Sequence, residues 1–189
     1  MDPGAVGEGV RLFLALDLPD GARAAIGRWR DSAVRGRNEL RPVPDEALHV
    51  TLVFLGLRPR GLVERIWQTA DRALAGLAAP TLAPIGLKAV PPHRPRALAI
   101  DLEDRGGEAA AAHEAVGGAL REAGLYDPGP RALWPHVTVA RGRGRARLGP
   151  LEAPPPPATP FTARGVTLYR SDLHPAGARY VALERLELA

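Results

Sequence analysis

Apolar and polar positions alternate in two periods along this chain, and the period changes repeatedly between that of a strand and that of a helix. Val10 to Asp17 alternates, with Val10, Leu12, Leu14 and Leu16 on one face and Arg11, Phe13 and Ala15 on the other, which predicts a strand. Pro19-Asp20 then opens a stretch in which Ala22, Ala25, Ile26 and Trp29 recur at helical spacing. Leu48 to Gly56 is filled with β-branched, aliphatic and aromatic residues and is closed by glycine, as in a buried strand. An apolar stripe of Leu62, Val63, Ile66, Ala70, Ala73, Leu74 and Leu77 predicts a second helix over 61–79. Thr81 to Val90 and Arg96 to Leu102 read as strands joined by a polar turn that holds His93 and Arg94. Glu108 to Ala123 reads as a helix with Val116 and Leu120 inward and His113 on its surface. A second β-branched run ends at Arg141, a loop follows to Pro160, and Val166 to Arg170 with Tyr180 to Leu188 predict a closing strand pair. Asp172 and His174 fall in the turn of that pair, where local structure is their expected role.

Within the first central strand His49 and Thr51 project to one face, while Val50, Leu52 and Phe54 are expected on the other. Two polar groups on an apolar strand require partners, since burying them unpaired costs roughly 1–3 kcal/mol each. The pattern recurs as His136 and Thr138 in the second β-branched run, with nearly half the chain between the copies. Two similar halves packed face to face bring two imidazoles and two hydroxyls into one cleft. Strict alternation places Arg141 on the face opposite His136, but a bulge at the strand end would turn its guanidinium into the cleft. Four arginines stand at alternate positions, 141, 143, 145 and 147. A solvated loop is the expectation for all but Arg141.

Length and composition narrow the class. The 189 residues suffice for one domain, here 1–189, made of two lobes that share a core, and a monomer is expected. With no cysteine there is neither a disulfide framework nor a thiol nucleophile. The N-terminus lacks a basic leader, and no apolar run approaches the roughly 20 residues of a membrane span, so a cytoplasmic location is expected. A net charge of +4 suits nucleic-acid contact, but the bias toward arginine over lysine, of which Lys88 is the single example, also arises from genome base composition.

The two His-x-Thr strands, with Arg11 to Leu16 near the start and Leu168 to Leu173 near the end, resemble the two-histidine (2H) phosphoesterases, in particular the bacterial and archaeal RNA 2′,3′-cyclic phosphodiesterases once called 2′-5′ RNA ligases. The resemblance runs from Val10 to Leu188. It implies an α+β fold: two pseudo-symmetric lobes whose antiparallel sheets line a central cleft, with helices on the outer faces. It further implies hydrolysis of RNA 2′,3′-cyclic phosphate ends to 2′-phosphomonoesters, with His49 as proton donor and His136 as proton acceptor. Reversible 2′-5′ ligation, tRNA halves and cyclic nucleotides enter as expected activities and substrates on the same ground.

Imidazole suits both proton roles because its ordinary pKa is near 6.5. Thr51 and Thr138 are candidates for hydrogen bonds to the non-bridging oxygens, and Arg141 for added positive charge. Phe13 is a candidate base platform. This scheme needs no metal and no cofactor. Two alternatives stay open: a metal-dependent phosphodiesterase with His49, His136, His174 and Asp172 as ligands, and a non-catalytic module that binds RNA ends.

Overall fold

The computed structural model describes residues 9–127, 129, 132–144, 148, 153–174 and 177–189. Its strands are β1 (Gly9–Asp17), β2 (Leu40–Pro42), β3 (His49–Pro59), β4 (Thr81–Val90), β5 (Ala97–Glu103), β6 (His136–Gly142), β7 (Phe161–Thr162), β8 (Gly165–Asp172) and β9 (Arg179–Glu187). Three helices accompany them: α1 (Asp20–Ala33), α2 (Val63–Leu74) and α3 (Glu108–Glu122). Arg145 and Arg147 lie outside the described residues.

All pairings are antiparallel, in the order β7-β4-β5-β6-β3-β1-β8-β9, with β2 beside β6. The α+β class and the antiparallel lobes are as expected. Instead of two separate sheets, however, the lobes form one continuous sheet, joined where Val50 of β3 pairs with Val137 of β6. Both valines are fully buried, so the junction is apolar on its core side.

The pseudo-symmetry is visible in the connectivity. β1-α1-β3 and β5-α3-β6 are equivalent strand-helix-strand units, in which the first strand pairs with the His-x-Thr strand of its own unit. The helices are exchanged: α1 packs on β6 and α3 packs on β3. Leu12, Leu14, Leu16, Val50, Ile100 and Val137 of the sheet are buried with Ile66 of α2 and Leu120 of α3. Side chains of this kind contribute roughly 1.5–3 kcal/mol each on burial, which makes the sheet's helix-facing side the core.

Helix α2 is shorter than its apolar stripe suggested. A 3-10 turn at Arg60–Leu62 precedes it, and Gly76 at φ 76 ends the helical path after Leu74. His113 of α3 is half-buried rather than a surface group, and its Nδ1 donates to the Leu52 carbonyl of β3 at 2.7 Å.

Candidate active site

Both His-x-Thr strands carry a bulge immediately after the threonine. In β3 the register with β1 passes from Thr51 to Val53, leaving Leu52 unmatched, and in β6 the register with β5 passes from Thr138 to Ala140, leaving Val139 unmatched. The freed carbonyls find partners outside the ladder: His113 takes that of Leu52, and the Val43 amide donates to that of Val139 at 2.9 Å. Each bulge shifts the alternation by one residue. Both strands therefore share one order of exposure over six residues: histidine half-buried, valine buried, threonine half-buried, two aliphatics buried, sixth residue open.

The sixth residues are Phe54, 55 % exposed, and Arg141. Phe54 thus stands on the His49 and Thr51 side, contrary to the expectation from strict alternation. Arg141 stands with His136 and Thr138, turned there by the bulge at Val139. The antiparallel junction at Val50 and Val137 sets His49 across from Thr138 and Thr51 across from His136. Arg141 and Phe54 then lie at opposite ends of the cleft face, with Arg141 at the His49 end.

The two imidazoles are held alike. His49 Nδ1 donates to the Ala47 carbonyl and His136 Nδ1 to the Trp134 carbonyl, each at 2.8 Å. A carbonyl can only accept, so Nδ1 carries hydrogen in both rings and Nε2 is left for chemistry. His49 Nε2 meets Thr51 Oγ1 at 3.0 Å. The turn that supplies the Ala47 carbonyl is anchored to α1 by the buried Arg30, which binds Asp45 at 2.7 Å and the Val43 carbonyl. Gly27 permits that anchor, because a Cβ there would stand 2.6 Å from the Asp45 carboxylate.

The surroundings of the two rings differ. Phe13 packs beside His49 with ring centroids 4.9 Å apart, and is itself covered by Tyr169 (5.2 Å, 18°) and Tyr180 (4.9 Å, edge-on). With 3 % exposure Phe13 has no free face for a nucleobase, so it is corrected from a base platform to the floor of an aromatic cluster. Burial pushes the His49 imidazole down to about 4; the positive charges of Arg141 and His136 add to this, while the Ala47 hydrogen bond and Asp17 oppose it. His136 instead lies flat under Trp134, centroids 4.1 Å apart and planes 17° off.

Each histidine also faces an aspartate in register on the neighbouring strand, Asp17 opposite His49 and Asp101 opposite His136. Asp17 accepts from Thr167 (2.7 Å) and Tyr169 (2.8 Å) and pairs with Arg185. Burial, followed by the Asp17 contact, raises the Tyr169 hydroxyl to about 12. Neither aspartate was among the expected site residues. Their signal is a second repeat, Phe13-Leu-Ala-Leu-Asp17 and Ala97-Leu-Ala-Ile-Asp101, which lies on the strand paired with each His-x-Thr strand.

Two pockets flank the pair. One of about 340 Å³ is lined by His136, Thr138, Arg96 and Arg141, and another of about 270 Å³ by Arg41, Ala47, Arg141 and Tyr180, so Arg141 belongs to both. Arg143 donates to the Leu40 carbonyl at 3.2 Å and braces β2. Among the described residues no group of three or more His, Asp or Glu side chains could hold a metal ion, and the alternative set of His49, His136, His174 and Asp172 does not assemble. Among them, too, no helix is long and apolar enough to cross a membrane.

A family model described as the 2′-5′ RNA ligase superfamily matches residues 18–175, a span that takes in both His-x-Thr strands. The chain belongs to that superfamily. It is 33 % identical to an RNA 2′,3′-cyclic phosphodiesterase of Thermus thermophilus, over 95 % of this chain and 90 % of that protein. Among solved structures of the superfamily's fold, a Thermus thermophilus protein superimposes with a TM-score of 0.80 at 29 % identity, covering 94 % of this chain and 97 % of that one. E. coli LigT complexed with 3′-AMP gives a TM-score of 0.76 at 26 % identity, covering 96 % and 99 %. The two-histidine phosphoesterase class expected from the motifs is therefore the class of this chain, and it is an enzyme of that class.

Proposed function

We propose that this protein hydrolyses RNA 2′,3′-cyclic phosphate ends to 2′-phosphomonoesters, with His49 as proton donor and His136 as proton acceptor. The observation that carries the reading is the junction at Val50 and Val137, which sets the two His-x-Thr units side by side on one open face. A water oxygen bonds to phosphorus while the bond from phosphorus to O3′ breaks. The water's proton passes to His136 Nε2, and a proton from His49 Nε2 passes to O3′. Thr51 and Thr138 donate to the non-bridging oxygens, and Arg141 offsets their charge. With a 5′-hydroxyl in place of water, the same groups bond its oxygen to phosphorus as the bond from phosphorus to O3′ breaks, leaving a 2′-5′ linkage and a 3′-hydroxyl, so ligation of tRNA halves needs no further residue.

The name of the Thermus relative and the 3′-AMP held by E. coli LigT support an RNA-end or nucleotide substrate. His49 carries its second proton only when a phosphodiester anion occupies the cleft, because burial and the Arg141 charge keep the free imidazole neutral. That same observation favours one second reading, in which neutral His49 is the base and His136 the acid. Product identity separates them. An RNA oligomer ending in 2′,3′-cyclic phosphate, incubated in excess EDTA, is expected to yield a 2′-phosphate with a 3′-hydroxyl. A predominantly 3′-phosphate product reverses the assignment. Activity lost to EDTA and restored by zinc supports the metal-dependent alternative, and binding without turnover supports the binding-module one.

A further inference from the structure

The second histidine carries a bracket that the mechanism above does not use. Asp101 of β5 is 7 % exposed and lies in register with His136; its Oδ1 accepts from Trp134 Nε1 at 2.6 Å and its Oδ2 pairs with Lys88 Nζ at 2.5 Å. Lys88 also stands 5.5 Å from the centre of the Trp134 ring. Trp134 in turn grips His136 twice, through its carbonyl on Nδ1 and through its ring on the imidazole face. The only lysine of the chain, an aspartate and an indole thus converge on one imidazole.

We propose that Lys88, Asp101 and Trp134 are positioning residues for His136: Trp134 fixes the ring plane, Asp101 supplies negative charge that favours the imidazolium, and Lys88 offsets that charge. The inference rests on reading His136 as a reacting group. In a proton-transfer step the imidazole must both point Nε2 at the reacting oxygen and titrate in the working range, and these three side chains govern both. Burial would raise the Asp101 carboxyl, but the hydrogen bonds from Lys88 and Trp134 and the charges of Lys88 and His136 hold it below the ordinary carboxylate range, so it is an anion at neutral pH. Among the described residues, other titratable groups near His136 are Arg96 and Arg141, which share its pocket, and His49 across the junction. All three are unchanged in the variants below.

The test is NMR titration of the His136 imidazole without substrate, assigned by the signal missing from His136→Gln. Asp101→Asn keeps an acceptor for Trp134 and removes only charge. Its midpoint is expected to fall by a few tenths to about one pH unit, while Lys88→Met is expected to raise it by a similar amount. The double variant should return near the starting value. Opposite signs are the mark of electrostatic control, and midpoints that stay put, or move in the same direction, would overturn the proposal. Because this titration needs no turnover, it stands apart from the failure of the proposed hydrolysis. With the cyclic-phosphate RNA as substrate, the same two variants should displace one limb of the kcat/KM profile in the same opposite senses. Trp134→Phe should retain more kcat than Trp134→Ala, with KM little changed in either; equal losses would remove the ring from the proposal.

Discussion

His49 Nε2 and Thr51 Oγ1 stand 3.0 Å apart on the open face of β3, with His49 Nδ1–H already committed to the Ala47 carbonyl. In the free protein the threonine hydroxyl therefore donates to the neutral imidazole. In the proposed reaction a phosphate entering the cleft takes that hydroxyl as its own donor, and the imidazole is released to exchange a proton with an ester oxygen. Thr51→Ala is accordingly expected to lower kcat by about 10²–10³-fold, the range for loss of one donor to developing charge. Thr51→Ser should recover most of it, and steady-state kinetics on a cyclic-phosphate RNA decides.

Removing either imidazole should cost about 10²–10⁴-fold in turnover, the range for one positioned proton-transfer group. His49→Ala and His136→Ala are expected to keep the circular dichroism spectrum of the parent. Near-native rates in either variant would contradict the two-histidine chemistry.

The low proton affinity of His49 links to stability. Its imidazole titrates near 4 when folded and near the ordinary 6.5 when unfolded, so between these values the unfolded chain binds more protons. The contribution is present above pH 6.5 and is lost as pH falls through about 4. Denaturant midpoints measured from pH 7.5 to 4 should drop more steeply for the parent than for His49→Gln. Parallel curves would mean that the ring is well solvated.

The sequence carried the two His-x-Thr strands plainly, because a repeated polar pair in a β-branched run is a local signal. The bulges were less legible. Leu52 and Val139 differ in no chemical way from their aliphatic neighbours, and what makes them bulge is a carbonyl partner elsewhere, His113 for one and Val43 for the other. Hence alternation gives Arg141 on the His-x-Thr face only as one option, and it puts Phe54 on the wrong face. The misreading of Phe13 has a similar cause: its cover comes from Tyr169 and Tyr180, over 150 residues away, and alternation within β1 says nothing of them. Asp17 and Asp101 were legible in principle, since the repeat that holds them precedes each motif in the chain.

Arg141 lines both pockets and also depresses the proton affinity of His49. Arg141→Ala should therefore act twice, raising KM by about 10-fold or more through lost charge-assisted hydrogen bonds and moving the His49 titration upward. Arg141→Lys keeps the charge and should restore the titration while recovering KM only in part. A His49 midpoint unchanged in Arg141→Ala would place the guanidinium elsewhere in solution.

The exposed Phe54 and the buried Phe13 are neighbours in register across β3 and β1, yet their substitution should read out differently. Phe13 fills the floor beneath His49, Tyr169 and Tyr180, so Phe13→Ala opens a cavity and should cost about 3–5 kcal/mol of stability. Phe54 is more than half exposed at the end of the cleft face away from Arg141, where it is available to a base of the bound nucleotide. Phe54→Ala should leave the melting temperature near that of the parent and weaken binding of the cyclic-phosphate end by about 1–3 kcal/mol, the usual worth of an aromatic platform. Phe54→Trp should preserve binding, because any broad ring offers the same face. If instead Phe13→Ala alone weakened binding while the fold kept its stability, the aromatic cluster under His49 would be open to ligand in solution and the base would lie there.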